Sequence, residues 1–150
     1  MARSAPSDVD AAEVAARLRL SATRLARRLR QEADSGFTPS QLSALSTIHN
    51  HGPLTLGALA EIERVAPPSI TKVITKLEGD GLVERAPDPN DGRVSHVSAT
   101  AAGRALIEES RRRKTTWLTG RVGGLEPRHQ AALADSLDAL DALIAAEDQQ

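Results

Sequence analysis

Hydrophobic positions recur along this chain mostly at helical spacing, interrupted by one short alternating stretch. From about 9 to 34, Val14, Leu18, Leu25 and Leu29 fall four and seven residues apart, with Ala11, Ala15, Ala22 and Ala26 beside them. That spacing predicts a long amphipathic helix. Arg17, Arg24, Arg27, Arg28 and Arg30 cover its other faces, and Gly36 follows where a helix commonly stops. Thr38-Pro39-Ser40-Gln41 opens the next helix: Thr38 caps, Pro39 suits the first helical position, and Gln41 returns the reciprocal bond of a capping box. Leu42, Leu45 and Ile48 form its apolar stripe, and Asn50-His51-Gly52-Pro53 ends it.

A short helix over about 55–63 carries Leu56, Leu59, Ala60 and Ile62, and another runs from Pro67 to about Gly79. Leu82-Val83-Glu84-Arg85 and Val94-Ser95-His96-Val97-Ser98 read as strands. The turn-rich Pro87-Asp88-Pro89-Asn90-Asp91-Gly92 between them makes a β-hairpin with a long tip. Thr100 caps a long helix to about 120, where Gly120, Gly123 and Gly124 break it. The last helix, about 127–147, has Glu126 as a weak N-cap and repeats Leu133, Leu137, Leu140 and Ile144.

The order is four helices, two strands and two helices, a mainly α chain with a small β-hairpin wing. Two short helices joined by a tight turn, then a hairpin, make a winged helix-turn-helix over about 38–99. The first and last helices are long and amphipathic, with stripes that one chain has little to cover, and the dimerising segments are taken as about 9–34 and 101–147. Helices of a second copy are their natural partner, so these segments are expected to form a dimerisation region. The whole of 1–150 is expected to be one domain.

Composition narrows the class. Aromatic residues make up 1 % of the 150 positions, Phe37 and Trp117 with no Tyr, so the core must be Leu, Ile, Val and Ala, which favours packed helices. The absence of Cys excludes disulfides, thiolate metal sites and thiol chemistry. The longest purely apolar run, Ala142 to Ala146, is far below the ~20 residues of a membrane span. Asp8, Asp10 and Glu13 occupy the place of a signal peptide's apolar segment. A soluble, cytoplasmic protein without membrane contact is expected. The net charge of −1 does not by itself mark a nucleic-acid binder. The local placement of charge does.

On a helix over 67–79, Ile70, Val73, Ile74 and Leu77 fall on one buried face. The opposite arc holds Pro68, Ser69, Thr71, Lys72, Thr75 and Lys76, hydrogen-bond donors apart from Pro68, and no acid. Between Arg64 and Leu77 there are three bases and no carboxylate, although residues 53–100 carry seven acids and five bases. Keeping anions off one face is what phosphates and base edges require. An ordinary surface helix is the alternative for this stretch alone, and the hairpin changes the balance. Arg93 ends the tip, where an arginine can enter a narrow minor groove, with Asp88 and Asp91 beside it to support the wing and hold its guanidinium.

The remaining candidates are weaker. His49 and His51, two apart, do not share a helix face and have no carboxylate at ligand spacing, so no metal or other cofactor is expected. Arg111-Arg112-Arg113-Lys114 reads as a solvated face with Glu108 and Glu109 one turn back. Trp117 reads as a core or dimer contact. Gly120-Arg121-Val122-Gly123-Gly124 lacks the strand-to-helix setting of a phosphate loop. No nucleophile or acid–base cluster points to an enzyme.

The stretches Leu54-Thr55-Leu56-Gly57-Ala58-Leu59-Ala60-Glu61, Pro68-Ser69-Ile70-Thr71-Lys72, Leu77-Glu78-Gly79-Asp80-Gly81-Leu82-Val83-Glu84-Arg85 and Asp88-Pro89-Asn90-Asp91-Gly92-Arg93 form a recognisable set. Together they resemble the MarR family of bacterial winged helix-turn-helix transcription regulators. Thr100-Ala101-Ala102-Gly103-Arg104 is similar to the family's Thr-x-x-Gly-Arg helix opening. The resemblance implies a homodimeric regulator, a repressor or activator, that binds double-stranded DNA and is released by a small anionic or aromatic effector. It also implies that the 67–79 helix enters the major groove and Arg93 the minor groove, with His49 and His51 bordering an effector pocket.

Three positions depart from the family's usual pattern. Gly92 replaces a first basic wing residue. Arg64 replaces the turn glycine, so a strained positive φ is not expected there. Ala66 replaces a Ser cap, leaving Pro67 and Ser69 to organise the helix start. The last two are similar to a Glu-Arg-Val-x-Pro-Pro-Ser pattern of actinobacterial members. The alternative class is a winged-helix protein-interaction module without specific DNA binding.

Overall fold

The computed structural model describes residues 10–145. The predicted helix positions at residues 9, 146 and 147 lie outside them. Its elements are α1 (Ala11–Glu32), α2 (Pro39–His51), β1 (Leu54–Thr55), α3 (Leu56–Glu63), α4 (Pro67–Gly79), β2 (Val83–Pro87), β3 (Ser95–Ala99), α5 (Ala101–Gly123) and α6 (Pro127–Ala145). The six helices and the hairpin are those expected, and the architecture is a winged helix-turn-helix. Two local starts follow the side chains read from the sequence. The Thr38 hydroxyl accepts from the Gln41 amide at 3.2 Å while the Gln41 side chain accepts from the Thr38 amide at 2.9 Å. The Asp10 carboxylate caps α1 through the amides of Ala12 and Glu13.

Three boundaries differ. Leu54–Thr55 is a short strand rather than the approach to a helix, pairing Leu54 with Val97 and Thr55 with His96. The sheet is therefore three-stranded and antiparallel, in the order β1-β3-β2. The hairpin strands start and end one or two residues later than expected, because the Leu82 amide still bonds to the Leu77 carbonyl at 2.9 Å and closes α4. Gly120 does not break α5, which runs to Gly123. One glycine costs a helix only about 1 kcal/mol, which the surrounding turns absorb.

The chain divides into two compact units, Met1–Lys114 and Thr115–Gln150. The buried core belongs to the first: Leu45 and Ile48 of α2, Leu59 of α3, Ile70, Ile74 and Leu77 of α4, Val83 and Val97 of the sheet, and Ile107. This is the aliphatic core that the scarcity of aromatics requires. Thr100 and Gly103 fix the wing's base to α5. The Thr100 hydroxyl donates to the Gly81 carbonyl at 2.7 Å and accepts from the Gly103 amide at 3.1 Å, while the Arg104 guanidinium holds the Ala99 carbonyl at 2.7 Å. A Cβ at Gly103 would collide with the Leu82 carbonyl oxygen and crowd Leu45 Cδ1 at 3.2 Å. In the second unit, the Arg121 guanidinium carbon lies 5.3 Å from the Trp117 ring centroid, within cation–π range. Neither α1 nor α6 contains a buried residue.

Candidate nucleic-acid interface

The turn between α3 and α4 is Arg64-Val65-Ala66. Arg64 sits at φ 53° and ψ 45°, the left-handed conformation not expected for a non-glycine residue. The geometry wins because the Arg64 amide must reach the Ala60 and Glu61 carbonyls to end α3 and redirect the chain. Ala66 caps α4 without a side chain and Ser69 does not substitute. The start rests on the Ser69 amide bonding to the Ala66 carbonyl at 2.9 Å, with Pro67 in the first turn. Glu63, unremarked in the sequence, ties α3 to α2. Its two carboxylate oxygens accept from the hydroxyls of Ser43 at 2.7 Å and Thr47 at 2.6 Å.

Ile70, Ile74 and Leu77 bury one face of α4, and Pro68, Ser69, Thr71, Lys72, Thr75 and Lys76 are all exposed on the other. Their polar groups are not equally free. The Thr71 hydroxyl donates to the Pro67 carbonyl at 3.0 Å, leaving its lone pairs outward. Thr75 accepts from the Arg85 guanidinium at 3.4 Å, and Lys76 pairs with Asp80 at 2.9 Å. Asp80 thus brings a carboxylate to the C-terminal end of a face that the sequence shows as free of acids. Ser69 and Lys72 have no side-chain partner among the described residues. Arg85 of β2 also reaches Glu78 at 3.2 Å and so couples the wing to α4. Strand alternation places Arg85 on one face of the sheet, but only the register and the α4 packing show what it meets.

At the wing tip Arg93 has 95 % of its side chain exposed. Its guanidinium is only loosely held: Nε lies 3.9 Å from Asp91 Oδ1. The two aspartates act instead on the backbone. Asp88 Oδ1 accepts from the amides of Asn90 at 2.8 Å and Asp91 at 3.1 Å, and Asp91 Oδ1 accepts from the Arg93 amide at 3.0 Å. Asp88 Oδ2 accepts from His96 Nε2 at 2.7 Å. The Asn90 amide, the His96 ring and the Asp91 amide hold the Asp88 carboxyl below the ordinary aspartate range.

His49 is half-buried and His51 exposed, and neither lines the cavity of about 430 Å³ beside α2. That cavity is lined by Arg30, Arg111 and Lys114 with Ser43, Ser46, Thr47 and Ile107, and by no carboxylate. Arg111, Arg112 and Arg113 are exposed, as the solvated reading of the basic run has it, while Lys114 is half-buried and lines this cavity with Arg111. Arg111 also donates to the Asn50 side chain at 2.8 Å, whereas Arg112 and Arg113 pair with Glu109. Among the described residues no group of His, Asp and Glu is arranged to hold a metal, and no helix is long and apolar enough to cross a membrane.

Comparison with known proteins agrees with this geometry. The MarR family model matches residues 37–95, which hold the α2–α4 helices, β2 and the wing tip up to the first residue of β3. An HTH-type transcriptional regulator of Mycobacterium bovis, Mb0904, is 42 % identical over 134 residues, 89 % of this chain and 94 % of that protein. The crystal structure of a transcriptional regulator protein from Pseudomonas aeruginosa is 32 % identical with a TM-score of 0.80, covering 93 % of this chain and 98 % of that one. The HTH-type transcriptional repressor MdtR of Bacillus subtilis is 35 % identical over 74 residues, 49 % of this chain and 48 % of that protein. An exposed basic helix beside an arginine-tipped wing, on a framework shared along nearly the whole chain, makes this protein a member of the MarR family of DNA-binding transcription regulators, which are not enzymes.

Proposed function

We propose that the protein is a cytoplasmic, homodimeric repressor that binds a pseudo-palindromic operator and leaves it when a small anionic effector binds. The observation that carries the reading is the outward face of α4, with Ser69 and Lys72 unengaged, together with the exposed and only loosely paired guanidinium of Arg93 at the wing tip. In this reading α4 of each protomer enters a major groove, the two grooves about 34–36 Å apart, and Arg93 enters the flanking minor groove. Pro68, Ser69, Thr71, Thr75 and Lys76 face base edges and phosphates around Lys72, and Asp88 and Asp91 shape the wing. Supporting the dimer, Leu133, Leu137, Leu143 and Ile144 of α6 are between 45 % and 69 % exposed, a stripe that water alone would cover at a cost. Supporting the effector, the cavity beside α2 has the volume of a small-molecule site and offers three cations, Arg30, Arg111 and Lys114, to an anion. His49 and His51 lie outside that lining.

Footprinting on the DNA flanking its own gene, repeated with aromatic acids, tests the reading. Lys72→Glu is expected to abolish binding, and Lys72→Ala to flatten the log–log salt dependence by about one unit. Binding that survives Lys72→Glu at moderate salt overturns the groove assignment. Affinity for duplex DNA with no salt dependence favours a protein-interaction module instead, because a protein partner has no condensed counterions to release.

A further inference from the structure

We infer that His96 is a positioning residue for the wing arginine, acting through Asp88. The inference rests on the reading of Arg93 as a DNA contact. The Arg93 guanidinium is held only loosely, almost wholly exposed and with Nε 3.9 Å from Asp91 Oδ1. Where it points is therefore set by the backbone of the tip. That backbone has an ordered scheme of bonds: Asp88 amide to Val94 carbonyl at 2.8 Å, Val94 amide to Asp91 carbonyl at 3.0 Å, and Arg93 amide to Asp91 Oδ1 at 3.0 Å. Asp88 organises the other side through the Asn90 and Asp91 amides.

Beyond those two amides on Oδ1, the Asp88 carboxylate is held at Oδ2 by the side chain of His96, Nε2 lying at 2.7 Å. His96 belongs to β3, the central strand, paired with Ala86 on one side and Thr55 on the other, so it is the fixed end of the bond. The bond spans the tip from its first residue to the strand that follows it, and both carboxylate oxygens are occupied. Removing the ring N–H frees Asp88 to rotate, loosens the Asn90 and Asp91 amides, and lets Arg93 sample orientations that miss the groove. Entropy then opposes the contact that Arg93 makes.

A double-mutant cycle on the full-length dimer, read as affinity for a footprinted duplex, tests this. Expected are an Arg93→Ala loss of roughly tenfold and a His96→Leu loss of similar size, each with a shallower salt slope. In the Arg93→Ala background His96→Leu should cost nothing further, since both remove one contact. His96→Gln, which keeps a side-chain N–H near the Nε2 position, should restore most of the affinity. If His96→Leu lowers the melting midpoint, Asp88→Ala, a change at the half-buried first residue of the tip, takes its place in the cycle with the same expected non-additivity. Wild-type affinity in His96→Leu, or losses that add to those of Arg93→Ala, overturn the inference while leaving the wing contact standing. A silent Arg93→Ala removes the wing contact itself, and the inference with it.

Discussion

Holding Arg64 at φ 53° sets its Cβ against the following carbonyl, a strain of about 1–2 kcal/mol that glycine would not carry. Glycine brings more chain entropy in the unfolded state, so the net gain from Arg64→Gly is about 0.5–1 kcal/mol. The unfolding midpoint is expected to rise by a few degrees in a thermal melt, while Arg64→Ala, equally strained, leaves it near the wild-type value. Gly103 behaves in the opposite sense. A methyl group there meets a main-chain oxygen, which cannot step aside as a side chain can, so Gly103→Ala is expected to cost about 1–3 kcal/mol in a denaturant titration. The two positions also show what a sequence can convey at this scale. Thr38 and Gln41, and Thr100 in its bond from the Gly103 amide, act on neighbours within a few residues and are readable in order along the chain. The needs of Gly103 and the partners of Glu63 and Arg85 come from residues brought close only by folding.

Among the elements, the wing carries the clearest pH dependence. Asp88 has its carboxyl held below the usual range by the Asn90 amide, the His96 ring and the Asp91 amide, so those bonds favour the charged form. The stability they contribute is complete above the ordinary aspartate pKa of about 3.9 and is lost as pH falls through the lowered value. Amide exchange at Asn90 and Asp91 is expected to stay protected at mildly acidic pH and to open only in strong acid. The same two amides in Asp88→Ala should exchange freely at every pH. The wing was legible as a hairpin because turn-formers separate two alternating runs, whereas β1 was not. Two residues are too few to show a period, and Leu54–Thr55 becomes a strand only because Val97 and His96 lie opposite it. Likewise Gly120 is an ordinary helix-ending signal that α5 overrides.

For the whole molecule, the question is what covers the stripe of α6. Leu137, 58 % exposed, repeats with Leu133 and Ile144 on a helix that buries nothing within the described chain. Replacing it with aspartate removes no contact from an isolated protomer's core, so Leu137→Asp is expected to leave the helical content intact. Sedimentation should then show half the wild-type mass at micromolar concentration, and operator affinity should fall to that of a single half-site. The heptad-like spacing makes this stripe plain in the sequence, and helical periodicity does the same for the exposed arc of α4 at Pro68, Ser69, Thr71, Lys72, Thr75 and Lys76. The cationic cavity beside α2 was hidden, because Arg30 and Arg111 come from helices far apart in the chain. Trp117, set under Arg121, is the chain's one indole, and there is no tyrosine. Ultraviolet emission from this protein therefore reports on a single stretch of α5, and its colour and quenching give a label-free optical signal for events at that helix, against a background to which the winged lobe contributes nothing.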